Sequence, residues 1–155
     1  MTEGQGGVSK NWDYNAVVEQ ADKPKVVLIL IENEGKILLI RRRYPMTIVG
    51  LEWAFPGGVT HPGENEFDAA KREAKQEVGL DIEIKGKIFE RKHQKIFITL
   101  AYFEGTIIDP DQKAVIGEPD EISEVKWVMA EKVLETFTSD TDPVIKNYVM
   151  SKAKK

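Results

Sequence analysis

The stretch Phe55–Leu80, FPGGVTHPGENEFDAAKREAKQEVGL, concentrates the residues that can do chemistry. Glu73 and Glu77 stand four positions apart. On a helix of about 3.6 residues per turn they lie roughly 40° apart and one turn from each other, with Glu66 near the same meridian. Like charges so placed cost about 0.2–0.5 kcal/mol in a bare helix. A divalent cation between them reverses that sign. Hard oxygen ligands on one rigid element suit Mg²⁺ or Mn²⁺, which keep several waters and share the phosphates of a substrate. Ahead of the helix, Gly57 and Gly58 let the backbone approach a ligand and expose its polar groups. Metal, phosphate and open backbone together point to phosphoryl or pyrophosphoryl chemistry. The plainer alternatives are a solvated acidic helix edge for the pair and an ordinary turn for the glycines.

The elements that must position these groups can be read from the pattern. Asn65 is a good N-cap with Asp68 three residues on, and Phe67, Ala70, Ala74 and Val78 form one apolar stripe beside the acidic edge. The carboxylates therefore belong at the margin of a buried seam. Gly79 suits a left-handed C-terminal cap. Upstream, the β-branched run Val26–Ile31 reads as a strand buried on both faces, and Ile37–Ile40 as its hairpin return across Asn33-Glu34-Gly35. Downstream, Ile82 and Ile84 alternate with charge, Ile96–Phe103 is strand-like, and Val125–Val128 is a last strand. Ala130–Phe137 and Pro143–Met150 read as helices, the second with Thr141 or Asp142 as cap. Strands, helix, strands, helices in that order argue an α+β class, a mixed α/β sandwich with a mixed sheet flanked by helices. The expected organisation is a mobile tail over residues 1–10 and a single domain over 11–155.

Composition narrows the partners. The 155 residues carry 22 basic and 26 acidic side chains, a net charge of −4, which lacks the basic surplus a non-specific nucleic-acid binder needs. There is no Cys, so thiolate catalysis and Cys-based metal sites are excluded, and two His are too few for a His-only zinc site. The longest apolar run is far short of the ~20 residues that span a bilayer. A cytoplasmic protein without membrane partners is the expectation. The run Arg41-Arg42-Arg43 is either a solvated hairpin end or a phosphate contact through one alternate member, since strand neighbours face opposite ways. Tyr44, Trp53, Phe97 and Phe103 are candidates to stack a base, although strand aromatics are more often core. Trp127 reads as core, and His61 and His93 as exposed loop residues.

The stretch also resembles the Nudix box of the Nudix hydrolase (MutT-like) family, written G-x5-E-x7-R-E-U-x-E-E-x-G-U with U apolar. Gly58, Glu64, Arg72, Glu73, Ala74, Glu77, Gly79 and Leu80 fall at the required spacings. With the hairpin LLIRRR, the lead-in EWAFPGG and the late strand EVKWV, the resemblance spans roughly residues 24 to 137. One position departs, because Gln76 stands where the family has Glu. The resemblance implies the Nudix fold, with the box as a loop–helix–loop. It further implies Mg²⁺-dependent hydrolysis of the pyrophosphate linkage in a nucleoside diphosphate joined to another group, with Mn²⁺ as an alternative ion. It implies that Glu73 and Glu77 bind metal and that either can activate the water. It gives the Gly57 carbonyl as a further ligand, and Arg72 with Glu64 as the ion pair that orients the carboxylates. Glu118, ahead of Asp120 and Glu121, is the favoured downstream acidic ligand. Arg41, Arg43, Gly58 and Phe103 are the candidate substrate contacts.

Subfamily marks leave the substrate open. The Pro of ADP-ribose hydrolases is absent near Lys95 and Ile96, the SQPW extension of NADH-type members is missing, and Phe97 lies where dinucleoside polyphosphate hydrolases carry Tyr. Elimination favours a nucleoside triphosphate, ordinary or oxidised. The alternatives are ADP-ribose or another sugar nucleotide, or a nucleotide-binding domain that Gln76 leaves non-catalytic. Homodimers are common in such families.

Overall fold

A computed structural model describes residues 24–43, 52–92, 98–137 and 141–153. The expected tail, together with Tyr44, His93 and Phe97, lies outside these residues. The elements are β1 (Lys25–Asn33), β2 (Lys36–Arg42), β3 (Trp53–Ala54), β4 (Gly57–Val59), α1 (Glu66–Val78), β5 (Ile82–Lys92), β6 (Thr99–Ile107), β7 (Ile122–Met129), α2 (Ala130–Thr136) and α3 (Pro143–Lys152). They form a mixed sheet with helices on both faces, the α+β architecture expected from the element order.

β1 is the organising strand. It runs parallel to β6 from Lys25↔Thr99 to Ile31↔Gly105 and antiparallel to β4 from Val26↔Val59 to Leu28↔Gly57. Val27, Ile29, Leu30 and Ile31 are all fully buried, as a continuous apolar run between two covered faces requires. The hairpin to β2 forms at the expected turn, where Glu34 and Gly35 take φ of 52° and 80°. Its ladder is short, with Glu32↔Ile37 and Asn33↔Lys36 as the pairs. Beyond the turn the strands part, because β2 takes β7 and β3 as neighbours while β1 takes β4 and β6. β5 completes the sheet against β6 through two register shifts.

Period two sorts the side chains onto two cores. Val27, Ile29, Ile31, Leu38 and Ile40 pack under α1 with Ala70, Ala74 and Val78, the predicted stripe. Leu30, Ile37, Leu39 and Tyr102 face the other way, under Val133 of α2 and Ile145 and Val149 of α3. α1 begins at Asn65, whose side chain accepts from the Phe67 and Asp68 amides, and ends at Gly79 with φ 71°. Asp142 caps α3 by accepting from the Val144 amide, ahead of Pro143 at the first turn. Among the described residues no helix is long and apolar enough to cross a membrane.

Candidate active site

α1 carries two carboxylates on the edge that faces the sheet. Glu77 is 3% exposed and Glu73 8%. Both sit at the seam margin, not on the solvated face. The Gly57 amide donates to Glu77 Oε1 at 2.8 Å. That approach needs two bare α-carbons. A Cβ on Gly57 would run into the Val27 carbonyl of the neighbouring strand, and a Cβ on Gly58 would run into the Glu73 carboxylate. The glycine turn is therefore shaped against β1 on one side and the helix acids on the other.

Arg72 ties the turn to the helix with its whole guanidinium. Its Nε and Nη2 donate to the two oxygens of Glu64 at 2.8 and 2.9 Å, a bidentate fork. Nη2 also donates to the Val59 carbonyl at 3.1 Å, and Nη1 to Glu73 Oε2 and Gln76 Oε1, each at 3.0 Å. The fork, with the His61 amide added, pulls the Glu64 carboxyl down to about 2. Glu64 in turn raises the already high Arg72 pKa. Arg72 and Glu64 thus act as one permanently charged brace between loop and helix.

The helix acids behave oppositely. Burial pushes Glu77 up to about 8, against the Gly57 amide and the Arg42 charge, and repulsion from Glu73 and Glu118 adds to it. Burial also raises Glu73, opposed by Arg72 and helped by Glu118. Two desolvated carboxylates side by side resist ionisation, and a cation between them removes the penalty. The donor set is hard oxygen, which fits Mg²⁺ or Mn²⁺. Among the described residues no three Asp, Glu or His side chains converge closely enough to enclose a metal by themselves.

The loop from β6 to β7 delivers Glu118 to this neighbourhood. It is strapped along the end of α1, with the Val115 amide on the Val78 carbonyl and the Gly117 amide on the Glu77 carbonyl, both at 2.9 Å. A Cβ on Gly117 would overlap the Gln76 carbonyl, so only glycine lets the strap lie this close. The Glu118 carbonyl accepts from the Glu121 and Ile122 amides at 3.0 and 2.9 Å, which starts β7.

Other expected residues are placed elsewhere. Glu66 shares the helix meridian but is paired with Lys25 and Lys87, both at 2.9 Å, and does not join Glu73 and Glu77. Phe103 is fully buried beneath α1, edge-on to Phe67 at 5.2 Å, so it is core and not a substrate contact. Arg41 is ion-paired with Glu52 and with Glu124, on the face away from α1. Its guanidinium and the Lys126 ammonium lie 5.8 and 5.9 Å from the Trp53 ring centroid. Arg43 donates through Nε to the Pro119 carbonyl at 3.0 Å and so holds the Glu118 loop. Arg42 is the member whose charge bears on Glu77, and sequence analysis missed it. Period two puts Arg42 on the face of Leu38 and Ile40, but spacing does not say that α1 covers that face. A cleft of about 380 Å³ is lined by all three arginines with Glu52 and Ser123. Trp127 is partly buried against the α1-side core, and His61 is exposed.

The chain is 40% identical over 57 residues to the CTP pyrophosphohydrolase of Escherichia coli, 37% of this chain and 42% of that protein. It is 26% identical over 122 residues to Nudix hydrolase 8 of Arabidopsis thaliana, 77% of this chain and 33% of that one. It thus spans less than half the length of either curated relative. Among solved structures, a NUDIX hydrolase from Nitrosomonas europaea superposes with a TM-score of 0.69 at 22% identity, over 83% of this chain and 70% of that one, a likeness of fold. The NUDIX domain model matches residues 22–148, most of the chain, and the protein belongs to that family.

Proposed function

We propose that this protein is a Mg²⁺-dependent pyrophosphohydrolase acting on a nucleoside triphosphate, ordinary or oxidised. The observation that carries the reading is the pair of buried acids, Glu73 and Glu77, packed side by side against a glycine turn, with Arg72 in contact with Glu73 and the Gly57 amide with Glu77. Glu73, Glu77 and the Gly57 carbonyl would hold the divalent ion, with Mn²⁺ as a substitute, and Glu118 would add negative charge nearby. Such an ion, when bound, offsets the charge that builds on phosphate oxygens as the pyrophosphate bond breaks. Arg72, locked by Glu64, holds Glu73 in place through Nη1, so the carboxylate need not reorganise during turnover. Arg42 supplies positive charge that bears on Glu77. Glu73 or Glu77, ionised beside the ion, would orient or deprotonate the attacking water. The likeness to a CTP pyrophosphohydrolase supports a triphosphate substrate.

The test is a nucleotide panel with product identification, with Mg²⁺ and with a chelator. A nucleoside monophosphate and pyrophosphate are expected from triphosphates in Mg²⁺ alone. No turnover of any member by folded protein refutes an enzyme. A second reading, a domain that binds nucleotide without cleaving it, has one observation in its favour: Gln76 carries no charge, and its amide oxygen is occupied by Arg72. Wild type that binds without cleaving, with cleavage gained in Gln76→Glu, selects that reading.

A further inference from the structure

Lys25, the first residue of β1, touches the box at both ends. Its backbone amide donates to Thr60 Oγ1 at 3.0 Å and its carbonyl accepts from the Thr60 amide at 2.9 Å. Thr60 is 9% exposed, so this closure is shielded from water. The same residue's ammonium reaches Glu66, the first residue of α1, at 2.9 Å and Glu90 of β5 at 3.3 Å. Lys87 completes the square with Glu66 at 2.9 Å and Glu90 at 2.7 Å. The segment 61–65 between the glycine turn and the helix is thus a loop with both feet on one residue. The two feet fix different things. The Thr60 bonds hold the end of the glycine strand against β1, and the Glu66 pairs hold the first turn of α1 against β1 and β5.

We propose that Lys25 is a positioning residue for the divalent-metal site, acting through Glu66 and Thr60 on the relative placement of the glycine turn and the helix acids. The inference rests on the reading that Glu73 and Glu77 bind the ion. Partners of metal ligands cost about 10- to 100-fold in affinity when removed. Glu66 and Thr60 touch the turn and the helix but no ligand, so Lys25 acts further out and a loss of about 5-fold is expected.

The experiment titrates Mn²⁺ into the full chain and follows binding by calorimetry and by the electron paramagnetic resonance signal of the free ion. Lys25→Met and Glu66→Gln remove the side-chain foot from either end and should each raise the Mn²⁺ dissociation constant about 5-fold. Lys25→Arg keeps the cation and should stay within about two-fold of wild type. The double variant should lose less than the two single losses combined, because both break the Lys25–Glu66 pair. A lowered melting temperature with unchanged Mn²⁺ affinity in both single variants makes the network merely structural and overturns the proposal. Should Lys25→Met not fold, unchanged affinity in Glu66→Gln alone overturns it. A wild type that binds no Mn²⁺ overturns the metal reading itself, a result distinct from wild type and variants binding alike.

Discussion

Replacing Glu77 by Gln separates the cost of its burial from its use. In the metal-free fold the carboxyl is held at about 8, against an ordinary 4.5. Below pH 4.5 it is protonated in both folded and unfolded chains and the difference vanishes. Between the two values the unfolded chain releases the proton and the folded one keeps it, so rising pH favours unfolding. At 1.36 kcal/mol per pH unit the whole interval is worth about 5 kcal/mol, a large share of a small domain's stability. Glutamine has nearly the same shape, accepts the same Gly57 amide and never ionises. Relative to wild type, Glu77→Gln in a chelator should therefore gain about 4 kcal/mol on going from about pH 5 to about pH 9. Saturating Mg²⁺ should reverse this, stabilising wild type at alkaline pH and leaving the variant unmoved. Urea denaturation at several pH values, with chelator and with Mg²⁺, measures both. If the difference between the proteins does not change with pH, burial does not govern Glu77. If Mg²⁺ stabilises the variant as much as wild type, Glu77 holds no metal. Hydrolysis by the variant should fall by orders of magnitude, and a rate within a few-fold of wild type refutes its role.

Other outcomes follow from the same geometry. Gly58→Ala should displace the Glu73 carboxyl and weaken Mn²⁺ binding, read by calorimetry, with a modest shift in melting temperature because the obstructed atoms belong to a side chain. Gly57→Ala meets backbone of β1 and should unfold the protein at markedly lower temperature. Arg42→Ala should lower kcat/KM about ten-fold or more, about 1.4 kcal/mol at the cleft, while Arg41→Ala stays within a few-fold; equal losses would contradict the register argument. Glu64 is held down at about 2 by the Arg72 fork, so its contribution to stability is present above its unfolded value of 4.5 and is lost as pH falls towards 2. Glu64→Gln should accordingly flatten the acid limb of thermal stability.

Much of this arrangement is local and therefore readable from sequence. Asn65, Gly79 and the stripe Ala70, Ala74, Val78 act within one helix, and spacing alone places Glu73 and Glu77 beside the seam. Gly57 and Gly58 are legible as a turn, but that they press on Val27 and Glu73 is a tertiary fact. Other placements were out of reach for the same reason. Phe103 and the arginines each obey period two, which says that neighbours diverge but not which side the helix will cover. Glu66 looked like a third acid until Lys25 and Lys87, from two distant strands, claimed it. Arg43 holds Pro119, a partner 76 positions away.

The placement of β1 bears on how the molecule is born. Its first half is clasped between β4 and β6, and the parallel partner Tyr102 lies 74 positions beyond Leu28. A nascent chain can lay the glycine turn on β1 and wind α1 early, since those contacts are comparatively near in sequence. The exposed far edge of β1 must then wait, an apolar template open to mispairing, until synthesis has passed the end of β6. Truncations just short of Thr99 should aggregate during translation, although they already carry the glycine turn and both helix acids.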